Sequence, residues 1–497
     1  MYINCMDLKN KLTKIERRFF SLVTRAVFAN PFGEERERVD LEISGLSSET
    51  SSFTLLEKVF YEVEQKIKVL ENQGRADINF FSGDDHEIVK NSLLFYVYHQ
   101  YAAEFDTFII DQRKAGDTPL KVLFAGNFFK ALTQYGFREA ETIRYFAIFY
   151  QMRRAFFFIE GNLIGTSSSM KQLKLSLWNN VFTYDIGLYE KYLWNRMEDF
   201  STLLLGETGT GKGTAAAAIG CSGFIPYSEK SNCFEDSFTR SLISLNLSQF
   251  PEALIESELF GHRKGAFTGA IDTHKGILEQ CGQYSTIFLD EIGETSIPVQ
   301  IKLLQVLQER VFSPVGGHEK KRFQGRVLAA TNRDINKLRA QRRFRDDFFY
   351  RLCSDTITVP PLRQRIEEDP DELNGLLSHT IERLIGKPSP ELADIVKDVI
   401  LKELGNHYPW PGNVRELEQC VRRVLIKRSY SGDDKEIRAD EKTYLLSGIE
   451  SGSMDAQTIL SNYCMMLYKQ YGTFEEVARR VKLDRRTVKK YINTETI

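Results

Sequence analysis

The stretch "STLLLGETGTGKGT", residues 201–214, limits what this chain can fold into more than any other. An apolar run stops at Gly206, Gly211-Lys212 follows after four residues, and an alanine-rich segment, "TAAAAIG", comes next. Strand, glycine-rich loop and helix in that order are the setting of a P-loop. Glycines let backbone N–H groups turn inward around phosphate oxygens. The helix amino terminus adds positive dipole, and Lys212 carries a full charge to the β and γ phosphates. The expected nucleotide cradle is therefore Gly206, Glu207, Thr208, Gly209, Thr210, Gly211, Lys212, Gly213 and Thr214. The expected ligands are ATP and Mg²⁺. Gly213 stands where a P-loop normally has the Ser or Thr whose hydroxyl reaches the metal, and Thr214 comes one place late.

"TIFLDEIGE", residues 286–294, supplies the complementary half. Its apolar run is expected to be a buried strand with Asp290 and Glu291 at the carboxyl end. Asp290 is placed to hold Mg²⁺ through water, and Glu291 to act as general base on the attacking water. An apolar run ending in two acids is weak evidence alone; downstream of a P-loop it is strong. Alternation of such runs with helices, again at "GRVLAATNRD", indicates a parallel α/β sheet.

The chain has 497 residues, room for about three domains at ~150 residues each. Residues 1–160 read as helical, with apolar residues at three-to-four spacing near 8–28, 54–72, 87–112 and 137–159. Their dense aromatics, Phe95 to Phe108 and Tyr145 to Phe158, are expected to pack a core. Residues 161–365 carry the α/β pattern, 366–430 return to helix, 431–454 are a polar linker, and 455–497 are a small helical unit. The net charge of −2 excludes a chain that binds polyanions over its whole surface, so any nucleic-acid surface is local. Cys5, Cys221, Cys233, Cys281, Cys353, Cys420 and Cys464 are scattered, without zinc spacing, as in a reducing compartment. The amino terminus lacks a signal-peptide core, and no run reaches membrane length. The expected location is the cytoplasm.

One segment has no helical or strand composition: "FGHRKGAFTGAI", residues 260–271. Its glycines frame Phe267 and Thr268, as in a flexible loop holding Phe267 on display. From here the motifs resemble one family, the AAA+ activators of sigma-54 RNA polymerase. "LIESELFGHRKGAFTGA", "FLDEIGETSIPVQIKLLQVLQERVFSPVGG", "AATNRD", "FRDDFFYRL", "VPPLRQR" and "YPWPGNVRELEQ" occur in the family's order across about residues 161–430. The resemblance implies an AAA+ ATPase core with a helical lid. It implies that Asn246 is a switch bonded to Glu291 and that Asn332 is the first sensor. Arg345 and Arg351 would be fingers reaching a neighbour's ATP, and Arg415 the second sensor. A trans arginine implies a ring of identical subunits, a hexamer in this family. Gly265, Ala266, Phe267, Thr268, Gly269 and Ala270 would contact sigma-54. The departures are Gly213, where the family commonly has an acid, "GQYST" at 282–286, and Arg263 where Glu is common.

"GTFEEVARRVKLDRRTVKKYIN", residues 472–493, reads as helix–turn–helix. Thr473 caps the first helix with Glu476 as its box partner, and Asp484 caps the second. Val488 and Ile492 face inward. Arg485, Arg486 and Thr487 are base-reading candidates, and Lys489 and Lys490 phosphate contacts, for double-stranded DNA. The unit resembles the Fis-type domain common at this end of the family. The combined reading is an ATP-hydrolysing activator that binds upstream DNA and remodels the sigma-54 polymerase complex, with a helical amino-terminal region that answers an unknown effector or restrains the ring. The alternative is a DNA-binding repressor using nucleotide only as a switch; a degraded Glu291, arginine pair or GAFTGA would favour it, and all are intact.

Overall fold

The computed structural model describes residues 10–405, 408–432, 445–446, 449 and 454–493. Cys5 and most of the expected 431–454 linker lie outside them. The described residues open with the helices α1 (Lys14–Phe28), α2 (Glu34–Ser44), α3 (Ser52–Asn72), α4 (Asp84–Gln100), α5 (Ala102–Ala115), α6 (Ala125–Thr133), α7 (Glu139–Asn162), α8 (Ser168–Phe182) and the short α9 (Ile186–Leu188). The pattern at 87–112 is two helices, parted at Tyr101. Helix α2 was invisible to three-to-four spacing, because its Val39, Leu41 and Ile43 alternate among charges.

The α/β region contributes β1 (Thr202–Leu205), α10 (Lys212–Gly220), β2 (Tyr227–Ser228), β3 (Cys233–Phe234), β4 (Leu242–Asn246), α11 (Glu252–Phe260), α12 (Ile277–Gln280) and β5 (Thr286–Asp290). It continues through α13 (Ile297–Glu309), β6 (Val311–Phe312), β7 (Lys321–Arg322), β8 (Arg326–Thr331), α14 (Ile335–Ala340), α15 (Asp346–Leu352) and β9 (Asp355–Thr358). Five strands pair in parallel in the order β4-β5-β8-β1-β9. Strand side chains alternate between faces. Leu203, Ile287, Leu289 and Val327 face a core shared with Leu303 and Val306 of α13. Leu204, Phe288 and Leu328 face the opposite core.

That second core does not stop at residue 160. It takes in Phe146 and Tyr150 of α7, Trp178 of α8, Ala215 and Ile219 of α10, and Phe234 of β3. Tyr150 stacks on Phe234 with centroids 3.9 Å apart. Arg154 of α7, fully buried, donates to Cys221 O at 2.8 Å and Gly223 O at 2.6 Å. A guanidinium there meets carbonyls at the end of α10, where the helix dipole is negative.

Helices α16 (Leu362–Glu368), α17 (Glu372–Ile385), α18 (Pro390–Glu403) and α19 (Asn413–Lys427) have their own core around Leu377, Ile381, Val396, Trp410 and Leu417. A buried ion pair, Arg365–Glu372 at 2.8 Å, anchors them to the segment before α8: Glu372 accepts from the N–H groups of Thr166 and Ser167. Helices α20 (Ala456–Tyr471), α21 (Phe474–Val481) and α22 (Arg485–Asn493) enclose a separate small core of Cys464, Leu467, Val477, Val488 and Ile492. No helix among the described residues is long and apolar enough to cross a membrane, and the described cysteines are free.

Candidate functional site

The P-loop leaves β1 and enters α10 with Gly206, Gly209 and Gly211 all at positive φ (152°, 80° and 105°). Gly209 cannot be replaced: a Cβ there would lie 2.3 Å from Gly412 O. Lys212 is buried, and its Nζ donates to Gly206 O at 2.9 Å and Glu207 O at 3.0 Å. Burial lowers its pKa, opposed by the charges of Glu291 and Asp290 and reinforced by that of Arg415. At Gly213 a Cβ would meet nothing within 4 Å, so packing does not explain the missing hydroxyl.

Strand β5 delivers Asp290 and Glu291 beside this loop. Asp290 Oδ1 accepts from the Glu291 N–H at 3.0 Å. Glu291 stands in the left-handed region at φ 58°. Burial, then the adjacent Asp290, raise its carboxyl above the ordinary range, which suits a general base. Asn332, just past β8, joins the two halves. Its N–H donates to Glu291 Oε2 at 3.5 Å and its Nδ2 to Thr208 Oγ1 at 2.8 Å. Asn246 ends β4 next to Asp290 in register. Its Nδ2 donates to Asp290 Oδ2 at 3.4 Å, while its Oδ1 accepts from Ser248. The expected bond from Asn246 to Glu291 is therefore replaced by one to Asp290, because parallel register puts the strand ends, not the residue beyond, side by side.

Arg345 and Arg351 flank α15 and bond locally. Arg345 pairs with Asp347 at 2.6 Å, and Arg351 Nε donates to Leu307 O at 3.0 Å. Arg415 reaches the P-loop through its backbone N–H, 3.4 Å from Gly209 O. Two residues of quoted motifs have roles that sequence reading missed. Asn413, fully buried at φ 53°, donates to Thr208 O at 3.1 Å and Glu207 Oε2 at 3.2 Å, and accepts from the Leu362 N–H at 2.8 Å. Arg363 grips Glu207 at 2.5 and 2.8 Å. The one signal for Asn413 is an Asn directly after Gly, a residue type that tolerates the left-handed region.

Gly265 and Gly269 take φ of 79° and 102°, and the Gly265 N–H donates to Ala270 O at 2.8 Å. The loop is docked rather than free. Phe267 is half-buried with its ring edge-on to His262 at 4.9 Å, so it is not held out in full display. Thr268 is exposed. The Arg263 N–H donates to Val315 O at 3.0 Å, and its guanidinium pairs with Glu319 at 2.5 Å. Both partners lie between β6 and β7. The departure at 263 thus has a counter-charge on the neighbouring hairpin.

In the tail, Thr473 Oγ1 accepts from the Glu476 N–H at 3.4 Å, but the Glu476 carboxylate pairs with Arg479 and Arg480 instead of closing a capping box. Asp484 Oδ1 accepts from the Arg486 N–H at 2.8 Å. Val488 and Ile492 are buried. Arg485, Arg486, Lys489 and Lys490 are exposed and Thr487 half-buried; Arg485 pairs with Glu475 at 2.8 Å.

The sigma-54 interaction domain family matches residues 189–358. The chain is 45% identical over 226 residues to the Nif-specific regulatory protein of Azotobacter vinelandii, covering 46% of this chain and 40% of that protein. It is 38% identical over 229 residues to regulatory protein AtoC of Escherichia coli, covering 46% of each. It is 42% identical over 238 residues to the anaerobic nitric oxide reductase transcription regulator NorR of Escherichia coli, covering 48% of this chain and 44% of that one. The chain thus spans less than half the length of these relatives. A solved structure of NtrX from Brucella abortus in complex with ATP covers 74% of this chain at 20% identity, with a TM-score of 0.41. The P-loop, the acid pair at the end of a parallel strand and the glycine-framed loop all lie within residues 189–358, the segment that matches the sigma-54 interaction domain family, so that segment is a sigma-54 interaction domain of AAA+ fold.

Proposed function

We propose that the chain is an ATP-hydrolysing transcriptional activator that acts on sigma-54 RNA polymerase. The observation that carries this reading is Asn332, which bonds the acid pair through Glu291 and the P-loop through Thr208. In this reading the P-loop N–H groups and Lys212 hold the β and γ phosphates of ATP. Mg²⁺ brought with the nucleotide would be held by phosphate oxygens and Asp290, a donor set that suits a metal bound through one carboxylate and substrate phosphates, and it would neutralise phosphate charge. Glu291 takes a proton from water as its oxygen bonds to the γ phosphorus and the bond to ADP breaks. Arg345 and Arg351 of a neighbouring subunit stabilise that charge, a contribution of about 10³–10⁵ in rate, which makes the working form a ring. Asn332, Asn246 and the lid residue Arg415 sense the phosphate state, and the 265–270 loop presses on sigma-54. The tail holds the ring on double-stranded DNA through Arg485, Arg486, Thr487, Lys489 and Lys490, and residues 1–160 regulate it.

The test is transcription in vitro from a sigma-54 promoter. Lys212→Ala is expected to abolish ATP turnover and activation together. Thr268→Ala is expected to keep turnover and lose activation. Activation that survives both substitutions would reject the reading.

A further inference from the structure

A cavity of about 560 Å³ opens at the end of the sheet opposite the nucleotide site. Its walls include Thr286 and Arg326, the first residues of β5 and β8, whereas the P-loop and Asp290 stand at the carboxyl ends of their strands. Distant parts of the chain build it, among them Gln151 of α7, residues 194–199, the turn after α10, the segment 322–326 and the "GQYST" segment that departs from the family pattern. Cavities of a few hundred Å³ between structural units are where small organic ligands bind. Gln151 is buried and held in place, donating to Ser222 O at 2.9 Å and accepting from the Tyr189 hydroxyl at 2.9 Å.

The lining is cationic and aromatic. Arg310, Arg322 and Arg326 line it together with Glu198 and Asp199. Asp199 is already engaged with Arg310 at 3.2 Å, yet the Arg310 Nε–H remains buried without an acceptor. Arg326 is buried, and its acceptors are all neutral: Phe200 O at 2.9 Å, Asn180 Oδ1 at 2.7 Å, Asn180 O at 3.2 Å and Thr202 Oγ1 at 3.3 Å. Asp355 is the carboxylate that acts on it, one residue removed, through Asn180 Nδ2 at 2.6 Å; a buried cation with no carboxylate in direct contact is costly, and an anion beside it recovers part of that cost. Trp194 packs edge-on to Phe224 at 4.7 Å, and Tyr284 and Phe323 add further ring surface.

We propose that this cavity is a second ligand site, which takes a small aromatic carboxylate: the carboxylate at Arg310 and Arg326, the ring among the aromatic side chains. The occupant touches both α7 and the segment feeding β5, so it would tie the amino-terminal helices to the strand that ends in Asp290. The inference is independent of the nucleotide site and of sigma-54.

The test uses the full chain, 2-naphthoate as probe and 2-naphthamide as its neutral counterpart, followed by calorimetry with ADP present in excess. The expected result is saturable one-to-one binding of the carboxylate, about tenfold or more tighter than the amide and unaffected by ADP, with a rise in Tm. Arg310→Gln should weaken it about tenfold. Gln283→Trp, made from an exposed position on the cavity wall, should block it, and it keeps the test alive if the arginine variant fails to fold. No saturable binding, equal binding of the amide, displacement by ADP, or unchanged affinity in either variant that folds would overturn the proposal.

Discussion

Glu291 pays twice for its position. A non-glycine residue at φ 58° costs on the order of 1–3 kcal/mol, and burial with a neighbouring carboxylate disfavours its charge. Because its folded pKa is raised, the fold binds its proton more tightly than the unfolded chain does. That contribution is complete below the ordinary value of 4.5 and is lost as pH rises through the folded value. At neutral pH, Glu291→Gln is therefore expected to raise Tm while cutting ATP turnover about 10²–10⁴-fold. The gain in Tm should shrink as pH falls toward 4.5; an unchanged or lowered Tm at pH 7 would contradict this account. Arg263 offers a contrasting case. Its pair with Glu319 is solvent-exposed, and such pairs contribute under about 1 kcal/mol. Arg263→Glu should lower activated transcription several-fold without abolishing it, and the exchange Arg263→Glu with Glu319→Arg should restore it. A double variant as poor as the single one would show that the pair does not position the loop.

Helix α19 illustrates how an element acquires a function through its first residue. Asn413 starts it with a left-handed step at φ 53°, and then bonds the P-loop on one side and Leu362 on the other. Asn413→Ala leaves the Leu362 N–H buried and unpaired and releases the P-loop from the lid. It should cost about 1–3 kcal/mol and raise KM for ATP, measured by denaturant unfolding and steady-state kinetics. Unchanged KM would separate the lid from nucleotide binding. The parallel strands and the P-loop were legible because an apolar run, glycine spacing and a following helix are local patterns. Asn413 was not, since its role depends on Thr208 and Glu207, far away in sequence. The same limit applies to Asn246: sequence supplies the residue, and strand register selects Asp290 as its partner.

At the scale of the molecule, the amino-terminal helices and the α/β region share one apolar core. Arg154, Tyr150 and Phe146 all reach across the expected boundary at 160. Burying an aromatic side chain stabilises by about 1.5–3 kcal/mol, so removing several such residues exceeds what a marginally stable fold tolerates. A chain reduced to residues 161–497 is expected to aggregate, judged by size-exclusion chromatography. A soluble fragment that hydrolyses ATP would show that the helices are dispensable. The deletion therefore reports first on folding, and only then on regulation. Arg154→Ala is the finer probe, because it leaves the apolar contacts and removes two bonds to the end of the P-loop helix.

By itself the sequence determined the local geometry: which glycine-rich turn joins a strand to a helix, which acids end a buried strand, which glycines frame the 265–270 loop, and which face of the last helix is basic. These properties follow from spacing within a few residues, where backbone geometry alone dictates position. The tertiary structure decided who meets whom. It made Arg365 and Glu372 an anchor, set Glu319 opposite Arg263, docked Phe267 on His262, and wrapped the amino-terminal aromatics around β2 and β3. Those contacts join residues distant along the chain, and their energies come from burial and charge pairing that no local pattern encodes.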